Sequence, residues 1–151
     1  MMTSINGLIK GYWYKYGYVR TTSTEYTLSS NVGSIHLTND AVQKNLPEYG
    51  KYEKGNKISY DDLSAYIEKH HNKKGKGFYD SIYPKMKKMA ADSMRACSGG
   101  IDPDKLQNNF EIFGMDFMID SNLDVWLIEI NTNPCLELSC PLLGSIIPKM
   151  V

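Results

Sequence analysis

Two segments decide the fold: residues 110–120, which read FEIFGMDFMID, and residues 125–133, which read VWLIEINTN. Each is rich in the β-branched and aromatic residues that favour strands, and the polar residues 121–124 between them form a turn signal. The pattern therefore predicts an antiparallel hairpin. If Asp120 pairs with Val125 across the turn, that pair fixes the register of the whole hairpin.

This register places two acidic side chains opposite each other. Asp116 lies opposite Glu129, with Cβ atoms roughly 5 Å apart, and regular alternation puts Leu127, Glu129 and Asn131 on one face. Opposed like charges cost up to about 1 kcal/mol, so a divalent cation between the carboxylates would explain the pair. Asn131 would supply a third oxygen, and an all-oxygen set suits Mg²⁺. The spacing leaves open an ordinary solvent-exposed strand face.

The composition is that of a soluble globular protein, in a single domain over residues 1–151. Of the residues, 42% are hydrophobic and 23% are charged, as in ordinary soluble domains. The 17 basic and 17 acidic residues give a formal net charge of zero. This balance therefore predicts no nucleic acid and no membrane among the partners.

Cysteine usage and the N-terminal sequence predict a cytoplasmic protein. The 3 cysteines are an odd number without metal-ligand spacing, which fits a reducing compartment. No apolar run approaches the roughly 18 residues of a membrane span, and the N-terminus MMTSINGLIKG lacks the pattern of a signal peptide.

Several local signals predict turns and helix ends. Asn6-Gly7 is typical of a hairpin turn with positive φ at both residues. Ser59 and Asp62 resemble a capping box, and they open a predicted helix that ends near His70.

A longer helix is predicted over residues 79–97, with Pro84 in its first turn and the Ser-Gly-Gly of residues 98–100 as its end. The spacing of apolar and small residues predicts its inner face. That face comprises Ile82, Met86, Met89, Ala90, Ser93, Met94 and Cys97. A last helix or coil is predicted over residues 142–150, interrupted by Pro148.

Basic residues concentrate in one region. Residues 69–77 read KHHNKKGKG, and four further cations follow on the predicted helix: Lys85, Lys87, Lys88 and Arg95. Such a run is typical of a solvated loop and helix face, and it is also the best local candidate for a surface that attracts a charged partner.

The hairpin resembles the C-terminal magnesium-binding hairpin of the tubulin-tyrosine ligase family, a branch of the ATP-grasp ligases, through the E-x-N step at residues 129–131. Further blocks resemble the family's blocks in the same order. They are YKYGYVRT at 14–21, HLTN at 36–39 with VQK at 42–44, and YGKYEKGN at 49–56.

The resemblance implies an α+β, ATP-grasp-like fold, with a mainly antiparallel sheet and flanking helices. It also implies an incomplete unit, because the chain matches only the later part of the family's catalytic domain and contains no K-F-D-I-R block. We therefore expect the C-terminal portion of the domain, as a fragment or an inactive remnant that binds ATP poorly.

The implied activity is that of an ATP-dependent ligase, which joins tyrosine, glutamate or glycine to a protein such as tubulin through an acyl-phosphate. ATP and Mg²⁺ are the implied cofactors. The matched positions are Asp116, Glu129 and Asn131 for the metal, Arg20 for the carboxylate or acyl-phosphate, and Thr38 and Asn39 for the nucleotide. In addition, Lys44 is expected to reach the amino-acid substrate.

Two questions stay open at this point. The rival to the ligase is a non-catalytic module that binds tubulin tails or microtubules, which would share the same acidic partner and the same cytoplasmic, cytoskeletal or ciliary location. The amino acid is also undecided, because residues 42–44 and 49–56 look closest to the tyrosine ligase whereas residues 131–137 depart from it.

Overall fold

The computed structural model describes residues 1–71 and 77–150, and it is an α+β chain built from antiparallel sheets and helices. The strands are β1 (Met2–Ile5), β2 (Leu8–Gly11), β3 (Tyr18–Arg20), β4 (Lys57–Ser59), β5 (Asn108–Glu111), β6 (Gly114–Ile119) and β7 (Val125–Asn131). The α-helices are α1 (Gly33–His36), α2 (Asp40–Gln43), α3 (Tyr60–His71), α4 (Tyr83–Ile101) and α5 (Pro141–Ile146). No helix in these residues is long and apolar enough to span a membrane.

The chain divides into two compact units. The first unit consists of Met1–Lys15 and Ile67–Cys135, and the second consists of Tyr16–Tyr66 with the C-terminal segment from Leu136. The assignment of residues 1–151 to a single domain stays a prediction.

The first unit contains an antiparallel sheet with the strand order β2-β1-β5. Its hairpin turn is the predicted one, because Asn6 has a φ of 52° and Gly7 a φ of 79°, and Ile5 pairs with Leu8. The prediction of one continuous strand over residues 110–120 is wrong. The chain leaves the first sheet after β5 and enters the second with β6, since β5 pairs with β1 and β6 pairs with β7. Residue pattern indicates strand character but does not identify the partner strand.

The long helix begins with a wide turn over Phe78–Ile82, in which the Tyr83 N–H donates to the Phe78 carbonyl. Pro84 stands in the first turn of α4, as predicted. The helix continues to Ile101, so the predicted end at residues 98–100 is wrong. Glycine costs about 1 kcal/mol in a helix, which disfavours the helix there without forbidding it.

The predicted inner face of this helix is correct in its first half. Ile82, Met86 and Ala90 are buried, whereas Cys97 is exposed, contrary to prediction. The same unit is filled by aromatic side chains. The Trp13 ring lies edge-on to Tyr83 and Phe117, and its Nε1–H donates to Tyr83 Oη over 3.0 Å. Phe117 of β6, which is half-buried, therefore packs against this aromatic cluster.

In the second unit β3 pairs with β4, and α3 begins directly after β4. The predicted capping box is present. The Asp62 carboxylate accepts from the Ser59 N–H and Oγ–H, while the Asp62 N–H donates to Ser59 Oγ over 3.1 Å. The helix ends at His71, within one residue of the prediction. At the C-terminal end, α5 is followed by a short 3₁₀ turn at Ile147–Lys149 that contains Pro148.

Candidate functional site

The β6–β7 hairpin brings the predicted metal-binding side chains together. Asp116 of β6 pairs with Glu129 of β7, as the sequence predicted, and Gly114 pairs with Asn131. The three polar residues therefore lie at the open end of the hairpin.

The pairing next to the loop of the hairpin differs from the prediction. Asp120 does not pair with Val125; instead Ile119 does, and Asp120 belongs to the loop. The physical reason is the Asp120 side chain, whose Oδ1 accepts from the N–H groups of Asn122 and Asp124 at 2.8 and 3.0 Å. An aspartate that bonds to backbone two residues ahead stabilises a turn rather than a strand.

A β-bulge restores the predicted pairing further along. Phe117 pairs with Leu127, and the next pair is Asp116 with Glu129, so Ile128 has no partner on β6. A bulge places an extra residue in one strand and changes the face of the residues beyond it. Leu127 and Glu129 therefore lie on opposite faces, and the prediction that they share a face is wrong.

The cluster lies at the protein surface. Asp116 is half-buried, whereas Glu129 and Asn131 are exposed, and the neighbouring Trp126 and Ile128 are 58% and 57% exposed. The Asn131 Nδ2–H donates to Glu129 Oε1 over 3.0 Å. The Asn131 amide and the Glu129 carboxylate are therefore in direct contact on the surface of the hairpin.

The donor set fits Mg²⁺. Rotation of the Asn131 amide by half a turn presents its oxygen where the nitrogen now lies, next to the Glu129 carboxylate. Asp116 is the cross-strand partner of Glu129, so two carboxylates and one amide oxygen belong to the same end of the hairpin. Mg²⁺ keeps several waters and takes few protein ligands, the rest coming from substrate phosphates. In the part of the chain that the structure describes, no group of three or more His, Cys, Asp or Glu side chains could hold a metal. The hairpin cluster contributes two such side chains, Asp116 and Glu129, together with the Asn131 amide.

The remaining predicted site residues belong to the second unit. Arg20 is the last residue of β3 and is half-buried, and its guanidinium lies 5.9 Å from the centre of the Tyr18 ring. Its partner in the ladder is Lys57. Arg20 is therefore held at a strand end, with a cation–π contact along its own strand.

Thr38 and Asn39 connect α1 to α2. Asn39 is the N-cap of α2, and its Oδ1 accepts from the Ala41 N–H over 2.9 Å. Asn39 therefore caps a helix, and this role is compatible with the predicted nucleotide contact because Asn39 is exposed. Thr38 is half-buried, and Lys44 is exposed just after α2.

The model of the tubulin-tyrosine ligase family matches residues 1–151. The chain belongs to this family. Two relatives that are named glycylases, one of them as inactive, are similar to it over most of its length. Tubulin glycylase 3B of Tetrahymena thermophila is 35% identical over 140 residues, which is 89% of this chain and 11% of that protein. The human inactive polyglycylase TTLL10 is 33% identical over 141 residues, which is 92% of this chain and 21% of that protein.

A further relative carries a different activity in its name. The probable tubulin polyglutamylase TTLL9 of Rattus norvegicus is 32% identical over 132 residues, which is 87% of this chain and 27% of that protein. This tubulin-tyrosine ligase family chain therefore spans between about a tenth and about a quarter of the length of these relatives.

The family chain also holds a buried polar network that the sequence did not reveal. Gln43 is fully buried, and Asn56, Lys57 and Ser23 are buried as well. The Lys57 side chain is only 1% exposed, and its Nζ donates to both Asp40 oxygens at 2.8 and 2.7 Å. Lysine and glutamine are usually exposed, so residue type alone points to the surface. A weak signal existed in the matched blocks, which contain both Gln43 and Asn56.

Most of the basic side chains on helix α4 are paired with carboxylates. Lys85 lies 3.0 Å from Asp124, and Asp92 contacts both Lys88 and Arg95. Within the described residues Lys87 meets no carboxylate, and its Nζ lies 5.9 Å from the centre of the Tyr83 ring. Of the basic loop at 69–77, residues 72–76 lie outside the described residues. This pairing favours the solvated-face interpretation for most of the cluster and leaves Lys87 as its best candidate for partner binding.

Proposed function

We propose that this chain is the C-terminal part of an ATP-grasp ligase that joins an amino acid to a protein acceptor such as tubulin. The observation that carries the proposal is the pairing of Asp116 with Glu129. Asn131 is hydrogen-bonded to the Glu129 carboxylate. Two like charges that are cross-strand partners repel each other, and a cation bound between them would turn that repulsion into attraction. Membership of the tubulin-tyrosine ligase family supports the ligase class.

Three groups of residues divide the work of this reaction. Asp116, Glu129 and Asn131 would hold Mg²⁺, which supplies charge neutralisation at the phosphates of ATP when bound. Arg20 would orient the carboxylate that becomes the acyl-phosphate, since a guanidinium can bind two oxygens at once. Thr38 and Asn39 would contact the nucleotide from an exposed turn, and Lys44 would reach the amino acid.

Glycine is the amino acid that we favour, ahead of glutamate and tyrosine. The support is the set of names among the relatives, which include a tubulin glycylase and a polyglycylase. Tubulin is the favoured acceptor for the same reason, with a cytoplasmic location that includes the cytoskeleton or the cilium.

The second candidate function is a non-catalytic module that binds an acidic tubulin tail. It is supported by a relative that is named inactive and by the exposed Lys87, which has no carboxylate partner in the described part of the chain. In this alternative the hairpin carboxylates contribute nothing to partner binding.

Two variants of the full-length protein distinguish the ligase from the tail-binding module. Glu129→Gln should lower incorporation of labelled amino acid into tubulin by about 100-fold or more, the scale of removing a group that stabilises transition-state charge, and leave tubulin-tail affinity nearly unchanged. Glu111→Gln is the matched control, because Glu111 is an exposed acid on β5. The double charge reversal Lys87→Glu and Lys88→Glu should weaken tail binding. Tail binding without any incorporation by the wild type would establish the module instead of the ligase.

A further inference from the structure

We propose that Gln43 and Lys57 are positioning residues that hold the turn at residues 37–40 (LTND) in the conformation that binds the nucleotide. The inference rests on the proposed function, because the turn contains Thr38 and Asn39. Gln43 and Lys57 are both buried. Their hydrogen bonds described below go to other residues of the turn and its surroundings, and none of these bonds involves Thr38 or Asn39.

Gln43 holds the N-terminal end of this turn. Its Nε2 donates to the Leu37 carbonyl over 2.6 Å and to the Ser34 carbonyl over 2.8 Å. Its Oε1 accepts from the Ser23 N–H over 2.9 Å and from Asn56 Nδ2 over 3.3 Å. An amide side chain offers two donors and two acceptor sites, so all four are used. A residue that only filled space here would not need this chemistry.

Lys57 holds the C-terminal end. Its ammonium group donates to both carboxylate oxygens of Asp40 and to the Gly55 carbonyl at 2.9 Å. The three donors of the ammonium are therefore satisfied. Because an unpaired buried charge is strongly destabilising, Asp40 is held firmly at the start of α2. Asp40 directly follows Asn39 in the chain.

The two anchors leave the centre of the turn accessible. Asn39 is exposed and Thr38 half-buried, whereas Gln43 and Lys57 are buried. A loop that is already ordered before the ligand arrives does not lose conformational entropy on binding. The buried network therefore raises the affinity for the nucleotide by keeping the turn ordered. Ordinary core packing would change only the stability of the fold.

The test uses Gln43→Glu, which keeps the size of the side chain and removes both amide donors, with Gln43→Met as a second variant. Leu143→Val is the matched control, since Leu143 is a buried residue of α5 in the same unit. Hydrogen exchange is measured at the Leu37 N–H, bonded to the Gly33 carbonyl, and at the Ala41 N–H, bonded to Asn39 Oδ1. Binding of ATP with Mg²⁺ is measured in the natural-length protein.

Exchange at Leu37 and Ala41 should rise about ten- to a hundredfold in the Gln43 variants, the effect of breaking buried hydrogen bonds. The ATP Kd should rise by at least about tenfold, and the control should change neither quantity at equal global stability. Faster exchange with an unchanged ATP Kd would overturn the proposal and make the network purely structural, and unchanged exchange would overturn it as well. Absence of ATP binding by the wild type would instead refute the proposed function, which keeps the two failures distinct.

Discussion

Pro134 approaches β6 so closely that position 114 has room only for glycine. A Cβ atom built on Gly114 would lie 2.9 Å from Pro134 Cβ, which is shorter than real contacts between such atoms. Because Gly114 pairs with Asn131, this close approach fixes the loop that follows the candidate metal-binding residues.

We expect Gly114→Ala to lower the free energy of unfolding by about 1–3 kcal/mol, the usual cost of overpacking. Gly99→Ala is the matched control, because a Cβ at Gly99 meets nothing within 4 Å and the residue lies in α4. The control should raise stability by up to about 1 kcal/mol through helix propensity. Urea unfolding of both variants measures the difference, and equal stabilities would show that the loop relaxes freely.

At the level of single elements, the capping box makes α3 sensitive to acid. Hydrogen bonds from the Ser59 Oγ–H and N–H hold the pKa of Asp62 below its usual range. A depressed folded-state pKa stabilises the fold above the unfolded-state pKa, and this contribution is lost as the pH falls through the folded-state pKa. The loss therefore takes place below about pH 4, where carboxylates ordinarily titrate.

Ser59→Ala should lower stability by about 1 kcal/mol at pH 7, the typical cost of losing an N-cap. The difference from the wild type should shrink as the pH falls below about pH 4, because the wild type loses the same carboxylate bond there. Thermal unfolding followed by circular dichroism between pH 7 and pH 3 tests this, with Asp61→Asn as a control at an exposed neighbour. A difference independent of pH would assign the effect to the serine alone.

The elements that sequence predicted well are those whose signals are local. The Asn6-Gly7 turn, the Ser59 capping box and the first turn of α4 depend on residues a few positions apart. The split between β5 and β6 was missed because strand pattern does not name a partner. The pairing of Ile119 with Val125 next to the loop was missed for a different reason. The Asp120 side chain accepts hydrogen bonds from the backbone of the turn, so Asp120 belongs to the turn and not to the strand.

The same distinction applies to the candidate site. Asp116 and Glu129 were placed opposite each other correctly, although the predicted loop pairing was one residue out and the bulge compensated for it. The network around Gln43 and Lys57 could not be predicted, because it joins residues 23 to 57 through side chains that are normally exposed. Periodicity carries no signal for such contacts.

At the scale of the whole molecule, binding of nucleotide and metal should depend on parts of the family's catalytic unit that this chain does not match. Mg²⁺ gives up water reluctantly and needs phosphate oxygens to complete its shell. We therefore expect ATP with Mg²⁺ to raise the Tm of the 151-residue chain only slightly. A version extended by the upstream half of the unit should gain about 2.7 kcal/mol at a hundredfold excess of ligand over Kd.

Thermal unfolding with and without ATP and Mg²⁺ measures both versions, and Glu129→Gln in the extended version is the control that should lose the metal-dependent part. A large shift in the 151-residue chain would show that its nucleotide site is already sufficient. No shift in the extended version would favour the tail-binding module over the ligase.

The bulge at Ile128 also bears on how the hairpin tolerates changes in chain length. The pairs of Phe117 with Leu127 and of Asp116 with Glu129 are consecutive on β6, yet one residue separates their partners on β7. A β7 strand without Ile128 would retain every one of these pairs in a regular ladder. An insertion between Trp126 and Leu127 falls in a regularly paired part of the strand, so it would turn the following side chains to the other face. One strand thus contains a position where a deletion is neutral for the carboxylate pair, beside a position where an insertion would separate it.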